Sequence, residues 1–132
     1  MKHLGIFLLI ILISWQYGCN NETQQSDMKN MKYLALGDSY TIGESVAEQD
    51  RFPVQLVDTL RAHGLEVDDP EIIATTGWTT DELAAGIEEA NIAGSYDLVT
   101  LLIGVNNQYR GRSVENFREE YVELLEQAIG FA

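Results

Sequence analysis

The run Leu98-Val99-Thr100-Leu101-Leu102-Ile103 carries no charge and no apolar/polar alternation, and it stops at Gly104. A half-solvated strand alternates, whereas a strand roofed by helices on both faces is apolar throughout. The run therefore predicts a central strand of a parallel sheet. Parallel neighbours cannot be joined by tight hairpins, so the chain on either side should alternate strand with helix.

Tyr33-Leu34-Ala35-Leu36 is a short apolar run closed by the turn residues Gly37-Asp38-Ser39. Phe52-Pro53 opens a helix, with proline in its first turn; Phe52, Leu56, Val57 and Leu60 share one face, and His63-Gly64 ends it. Ile72-Ile73-Ala74 is the second strand, closed by Thr75-Thr76-Gly77, and Thr79 with Glu82 has capping-box spacing for a helix that turns Leu83 and Ile87 inward. A last helix follows Ser113, with Val114, Phe117, Tyr121, Leu124, Leu125 and Ala128 on one stripe, Gly130 at its end, and Glu115, Glu119, Glu120, Glu123 and Glu126 on a solvated face. The β-α-β-α-β-α order predicts an α/β fold, a parallel sheet with helices on both sides. Three strands are few for such a sheet, since natural ones average roughly five to six.

Ligands of open parallel sheets bind outside the carboxyl ends of the strands. Those ends carry Gly37-Asp38-Ser39-Tyr40, then Gly77-Trp78, then Gly104-Val105-Asn106-Asn107. A serine hydroxyl, a glycine amide and an asparagine amide thus share one rim. Acyl transfer requires a nucleophile and hydrogen-bond donors aimed where charge develops on the carbonyl oxygen. Ser39 can be the nucleophile; the N–H groups of Ser39 and Gly77 and the Asn106 amide can be the donors. Tyr40, Trp78 and Asn107 adjoin these loops and are expected to line the substrate pocket, while Arg110 and Arg112 are expected to be ion-pair partners on an acidic surface. The first loop has no phosphate-cradling glycine pattern, which argues against a nucleotide binder.

Gly37-Asp38-Ser39 after the first strand, Gly77 after the second and Gly104-x-Asn106 after the third resemble the SGNH/GDSL hydrolases, over residues 31 to about 128. The resemblance implies a three-layer α/β/α flavodoxin-like sandwich, of which the first three β-α units are present. It also implies a serine hydrolase of ester or thioester bonds with no metal or organic cofactor. Ser39 would be its nucleophile, with Ser39 N–H, Gly77 N–H and Asn106 as the oxyanion hole. The family's base is a histidine in an Asp-x-x-His motif, and no such motif occurs in the 132 residues. His63 lies roughly 16 Å down the first long helix from Pro53, at ~1.5 Å per residue, too far to serve Ser39. The expectation is therefore the N-terminal part of a hydrolase domain, the alternative being a non-catalytic surface-binding lipoprotein that keeps the crevice without the chemistry, or an inactive fragment of the same fold.

Residues 1–18 resemble a lipoprotein signal: Lys2 and His3, the apolar run Leu4 to Ile13, then Gly18 before the single cysteine, Cys19. Gln16 departs from the usual apolar lipobox position. The expected organisation is a signal in residues 1–18, a lipid on Cys19, a polar tether in residues 19–30 and the hydrolase domain in residues 31–132. The protein is then exported and anchored at a bacterial cell envelope, with a small-molecule, carbohydrate or lipid ester as substrate. A formal charge of −13, from 21 acidic against 8 basic residues, excludes a basic footprint for nucleic acid. One cysteine and two distant histidines, His3 and His63, offer no zinc set.

Overall fold

The computed structural model describes residues 29–132; the signal segment, Cys19 and the tether up to residue 28 lie outside the described residues. Three strands, β1 (Tyr33–Gly37), β2 (Glu71–Ala74) and β3 (Leu98–Leu102), form one parallel sheet in the order β2-β1-β3. Among the described residues five α-helices follow the strand ends: α1 (Ser39–Ile42), α2 (Phe52–Ala62), α3 (Thr80–Ala90), α4 (Val105–Tyr109) and α5 (Val114–Phe131), with a short 3-10 turn at Glu48–Asp50 before α2. This is a flavodoxin-like α/β arrangement.

Strand β1 organises the layers because its side chains alternate across the sheet. Leu34 and Leu36 join Ile73, Leu83, Ile87, Leu124 and Ala128 in a core beneath α3 and α5. Tyr33 and Ala35 point the other way and pack with Val57 of α2 and with Val67. All five residues of β1 are buried.

The central position thus belongs to β1, and β3, expected there, stands at an edge of the described sheet. Leu102 is 46% exposed and the other four β3 residues are partly exposed. An uninterrupted apolar run records burial on both faces, which a strand at either place can have; it does not record how many neighbours the strand has. Helix α5 also departs from expectation: it runs through Gly130 to Phe131, and Val114 and Leu125 are 66% and 42% exposed rather than part of the buried stripe. The helix starts as expected, with the Ser113 hydroxyl accepting the Asn116 N–H at 3.1 Å. Short α4, read from sequence as a loop, follows directly on Gly104.

Candidate active site

The first loop is set by Asp38. Its carboxylate accepts the Tyr40 N–H at 3.0 Å and so caps α1, of which Ser39 is the first residue. Asp38 is 1% exposed, and burial raises its pKa, opposed by backbone N–H groups, that of Tyr40 foremost. Ser39 stays half-buried at the rim while Tyr40 turns outward, 64% exposed. Gly37, directly before, has no room for a side chain: a Cβ there would overlap Thr41 Oγ1 and lie 2.5 Å from the Leu102 carbonyl oxygen.

The second loop is a turn from Thr75 to Trp78. The Trp78 N–H donates to the Thr75 carbonyl at 3.2 Å, and Gly77 at the third position has φ +86°. A positive φ at that position alone defines a type II turn, which is why glycine stands there. The indole of Trp78 lies on Gly86, where a Cβ would overlap its ring, so this residue is packed against the α3 side of the core as well as bordering the loop.

Asn106, in α4, joins the two loops. Its side-chain amide donates to the Trp78 carbonyl at 2.8 Å and stands 3.5 Å from the Asp38 carboxylate, between the neighbours of Gly77 and of Ser39. The Thr76 hydroxyl also donates to the Glu44 carboxylate, tying the second loop to the segment after α1. The three strand ends named from sequence therefore meet through Asn106.

Asn107 borders the cavity between α4 and the start of α5, and it also clasps α3. It is 2% exposed; its Oδ1 accepts the Thr80 N–H at 3.1 Å and its Nδ2 donates to Thr80 Oγ1 at 2.6 Å. Both ends of its amide are thus bonded to the first residue of α3. The Thr80 hydroxyl donates in turn to Glu120, whose other oxygen accepts from Asn116 at 2.8 Å. Glu120 accordingly leaves the solvated face expected for it and ties α5 to α3.

Both loop arginines form ion pairs, as expected: Arg110 with Glu82 at 2.9 Å and Arg112 with Asp81 at 2.9 Å. The sequence did not disclose a second contact of Arg110, which donates to the Gly77 carbonyl at 2.6 Å. Glu82 also accepts the Thr79 N–H at 2.9 Å. That backbone bond, with Arg110 next, holds its carboxyl below the usual carboxylate range. The capping-box spacing identified Glu82; nothing local could pair it with an arginine 28 residues on.

His63 caps the far end of α2, its Nδ1 paired with the Thr59 carbonyl at 2.8 Å, away from the strand ends. Among the described residues no three His, Cys, Asp or Glu side chains gather as a metal set, and no helix is long and apolar enough to cross a membrane. A cavity of about 610 Å³ opens beside these loops, between α4 and the start of α5, with Ile103, Val105, Val114 and Phe117 among its walls.

A family model described as GDSL-like Lipase/Acylhydrolase family matches residues 35–131. Among solved structures, AlinE4, an SGNH-hydrolase family esterase, superposes with a TM-score of 0.68 at 25% identity, covering 75% of this chain and 53% of that one. TesA superposes with a TM-score of 0.68 at 17% identity, covering 76% and 55%. The psychrotrophic esterase EstA from Pseudoalteromonas sp., solved inhibited by monoethylphosphonate, gives 0.59 at 18%, with the same coverage as TesA. The chain thus spans about half the length of the structures it resembles. A search of curated proteins returns no significant match.

Proposed function

Given that the chain belongs to the GDSL-like lipase/acylhydrolase family, we propose that its crevice is the nucleophile and oxyanion half of a serine ester hydrolase. Ser39 Oγ attacks the ester carbonyl carbon as its proton passes to a base. The tetrahedral oxyanion is held by the N–H groups of Ser39 and Gly77 and by the second Nδ2 hydrogen of Asn106, the first being given to the Trp78 carbonyl and the second facing Asp38 only at 3.5 Å. Collapse expels the alcohol and leaves an acyl-Ser39, which water then hydrolyses. The observation that carries this reading is the side chain of Asn106, bonded beside Gly77 and 3.5 Å from the residue before Ser39.

Among the described residues the base is not supplied from His63, which stands at the other end of α2. The second reading is a binding protein that keeps the crevice and performs no chemistry. Labelling with a fluorophosphonate, read by intact mass and peptide mapping, decides between the two. Modification of Ser39, absent in Ser39→Ala and slowed about 10²–10³-fold in Asn106→Ala, supports the hydrolase. A folded protein that takes up no phosphonate supports the binder.

The signal-like residues 1–18 and the Gly18-Cys19 pair support export and a lipid anchor on Cys19, which would bring the crevice to ester substrates at the cell envelope. Detergent-phase partitioning that Cys19→Ala abolishes is the expected outcome; partitioning into the aqueous phase without that substitution would refute the anchor.

A further inference from the structure

Arg110 holds the turn that carries Gly77 in a manner its ion pair alone does not require. One guanidinium nitrogen donates to Glu82 Oε1 at 2.9 Å and another to the Gly77 carbonyl at 2.6 Å. Glu82 is itself fixed, since its second oxygen accepts the Thr79 N–H at the start of α3 at 2.9 Å. The arginine is therefore a strut between a helix N-terminus and a single peptide carbonyl.

That carbonyl sits at a sensitive place. In the type II turn from Thr75 to Trp78, the central peptide is the one carrying the Gly77 N–H. Type I and type II turns differ by a half rotation of that peptide, and glycine tolerates both signs of φ, so nothing in Gly77 itself stops the rotation. What opposes it lies on the exit side, where Arg110 binds the Gly77 carbonyl and Asn106 binds the Trp78 carbonyl. Arg112 provides a comparison within the same loop: it pairs with Asp81 at 2.9 Å and, among the described residues, does not bond the turn.

We infer that Arg110 is a positioning residue, acting through the Gly77 carbonyl to keep the Gly77 N–H aimed into the crevice. The inference rests on the proposed hydrolase reading, in which that N–H is an oxyanion donor. Arg110 touches no reacting atom. Its removal should lower the rate at which the serine reacts and leave binding of the probe nearly unchanged.

The test compares Arg110→Met, Arg110→Lys and Arg112→Met in the full chain by two readouts. The first is the saturable rate of fluorophosphonate labelling at Ser39, resolved into a maximal rate and a half-saturation concentration. The second is the Gly77 amide in a ¹⁵N-correlated spectrum, which needs no chemistry. Arg110→Met should lower the maximal rate about 10- to 100-fold, with half-saturation changed less than about twofold, and should shift or broaden the Gly77 amide signal. Arg110→Lys, which keeps a donor of similar reach, should recover part of both, and Arg112→Met should alter neither. An unmoved Gly77 signal in folded Arg110→Met overturns the inference, as does an equal rate loss in Arg112→Met. If Ser39 takes no phosphonate before any substitution, the hydrolase reading fails, and the amide signal still decides whether Arg110 orders the turn.

Discussion

Asp38 and Gly37 show two different reasons for a residue to precede a nucleophile. Asp38 caps α1 from a buried site that raises its pKa, so the folded protein carries the charge at a cost near neutral pH. Asparagine offers the same cap acceptor without the charge. Asp38→Asn is therefore expected to fold with an equal or higher melting temperature at pH 7, and a fall of several degrees would mean the charge itself is needed. Gly37 is required by space: its missing Cβ is where Thr41 Oγ1 and the Leu102 carbonyl meet. Gly37→Ala should cost about 2–3 kcal/mol by overpacking, measured by urea unfolding; a loss under about 0.5 kcal/mol would mean the sheet and α1 separate easily. The serine was legible from its place after the first strand. The surroundings of Asp38 were not, because they include Asn106, 68 residues away in sequence.

At the scale of an element, the N-terminus of α3 gathers more interactions than its length requires. Thr79, Asp81 and Glu82 cap it, and Arg110 and Arg112 pair with its two acids. Asp81 is held below the usual carboxylate range by the Thr79 hydroxyl first and Arg112 after it, and Glu82 by the Thr79 N–H and Arg110. Lowered pKa values contribute stability that is present above the unfolded values, near ~4, and lost as the pH falls through the folded ones. Asp38, with a raised pKa, has the opposite sign: its share is present at low pH and lost as the pH rises. Melting temperature should therefore fall on acidification below about pH 4, less steeply in the Asp81→Asn/Glu82→Gln double variant, while the gain that Asp38 contributes on acidification toward pH 4 from above should be missing in Asp38→Asn. Identical slopes in all three proteins would show that these groups do not set the acid limit. The start of α3 was legible because a capping box is a local code. Helix α4 was not, since its five residues contain two asparagines and carry no apolar periodicity; Gly104 and the bonds of Asn106 and Asn107 hold it.

At the scale of the whole fold, the described residues leave one side apolar. Leu102 on β3 and Val114, Val122, Leu125 and Ile129 on α5 are each more than two-fifths exposed, and β3 has a free edge among the described strands. An open edge beside apolar helix surface favours association with other chains. Replacing Val122 with Lys and Ile129 with Glu should leave the melting temperature within about 2 °C while lowering light scattering at high concentration. Unchanged scattering would clear this face of responsibility. What the sequence determined by itself was whatever short-range physics encodes: strand and helix alternation, the start of α3, and which strand ends carry Ser39, Gly77 and Asn106. Tertiary structure alone decided that β1 lies between β2 and β3 in the described sheet, that Asn107 clasps Thr80, and that Arg110 reaches the Gly77 carbonyl. Each of those depends on groups at least 27 residues apart coming within hydrogen-bond distance, and periodicity carries no record of such partners.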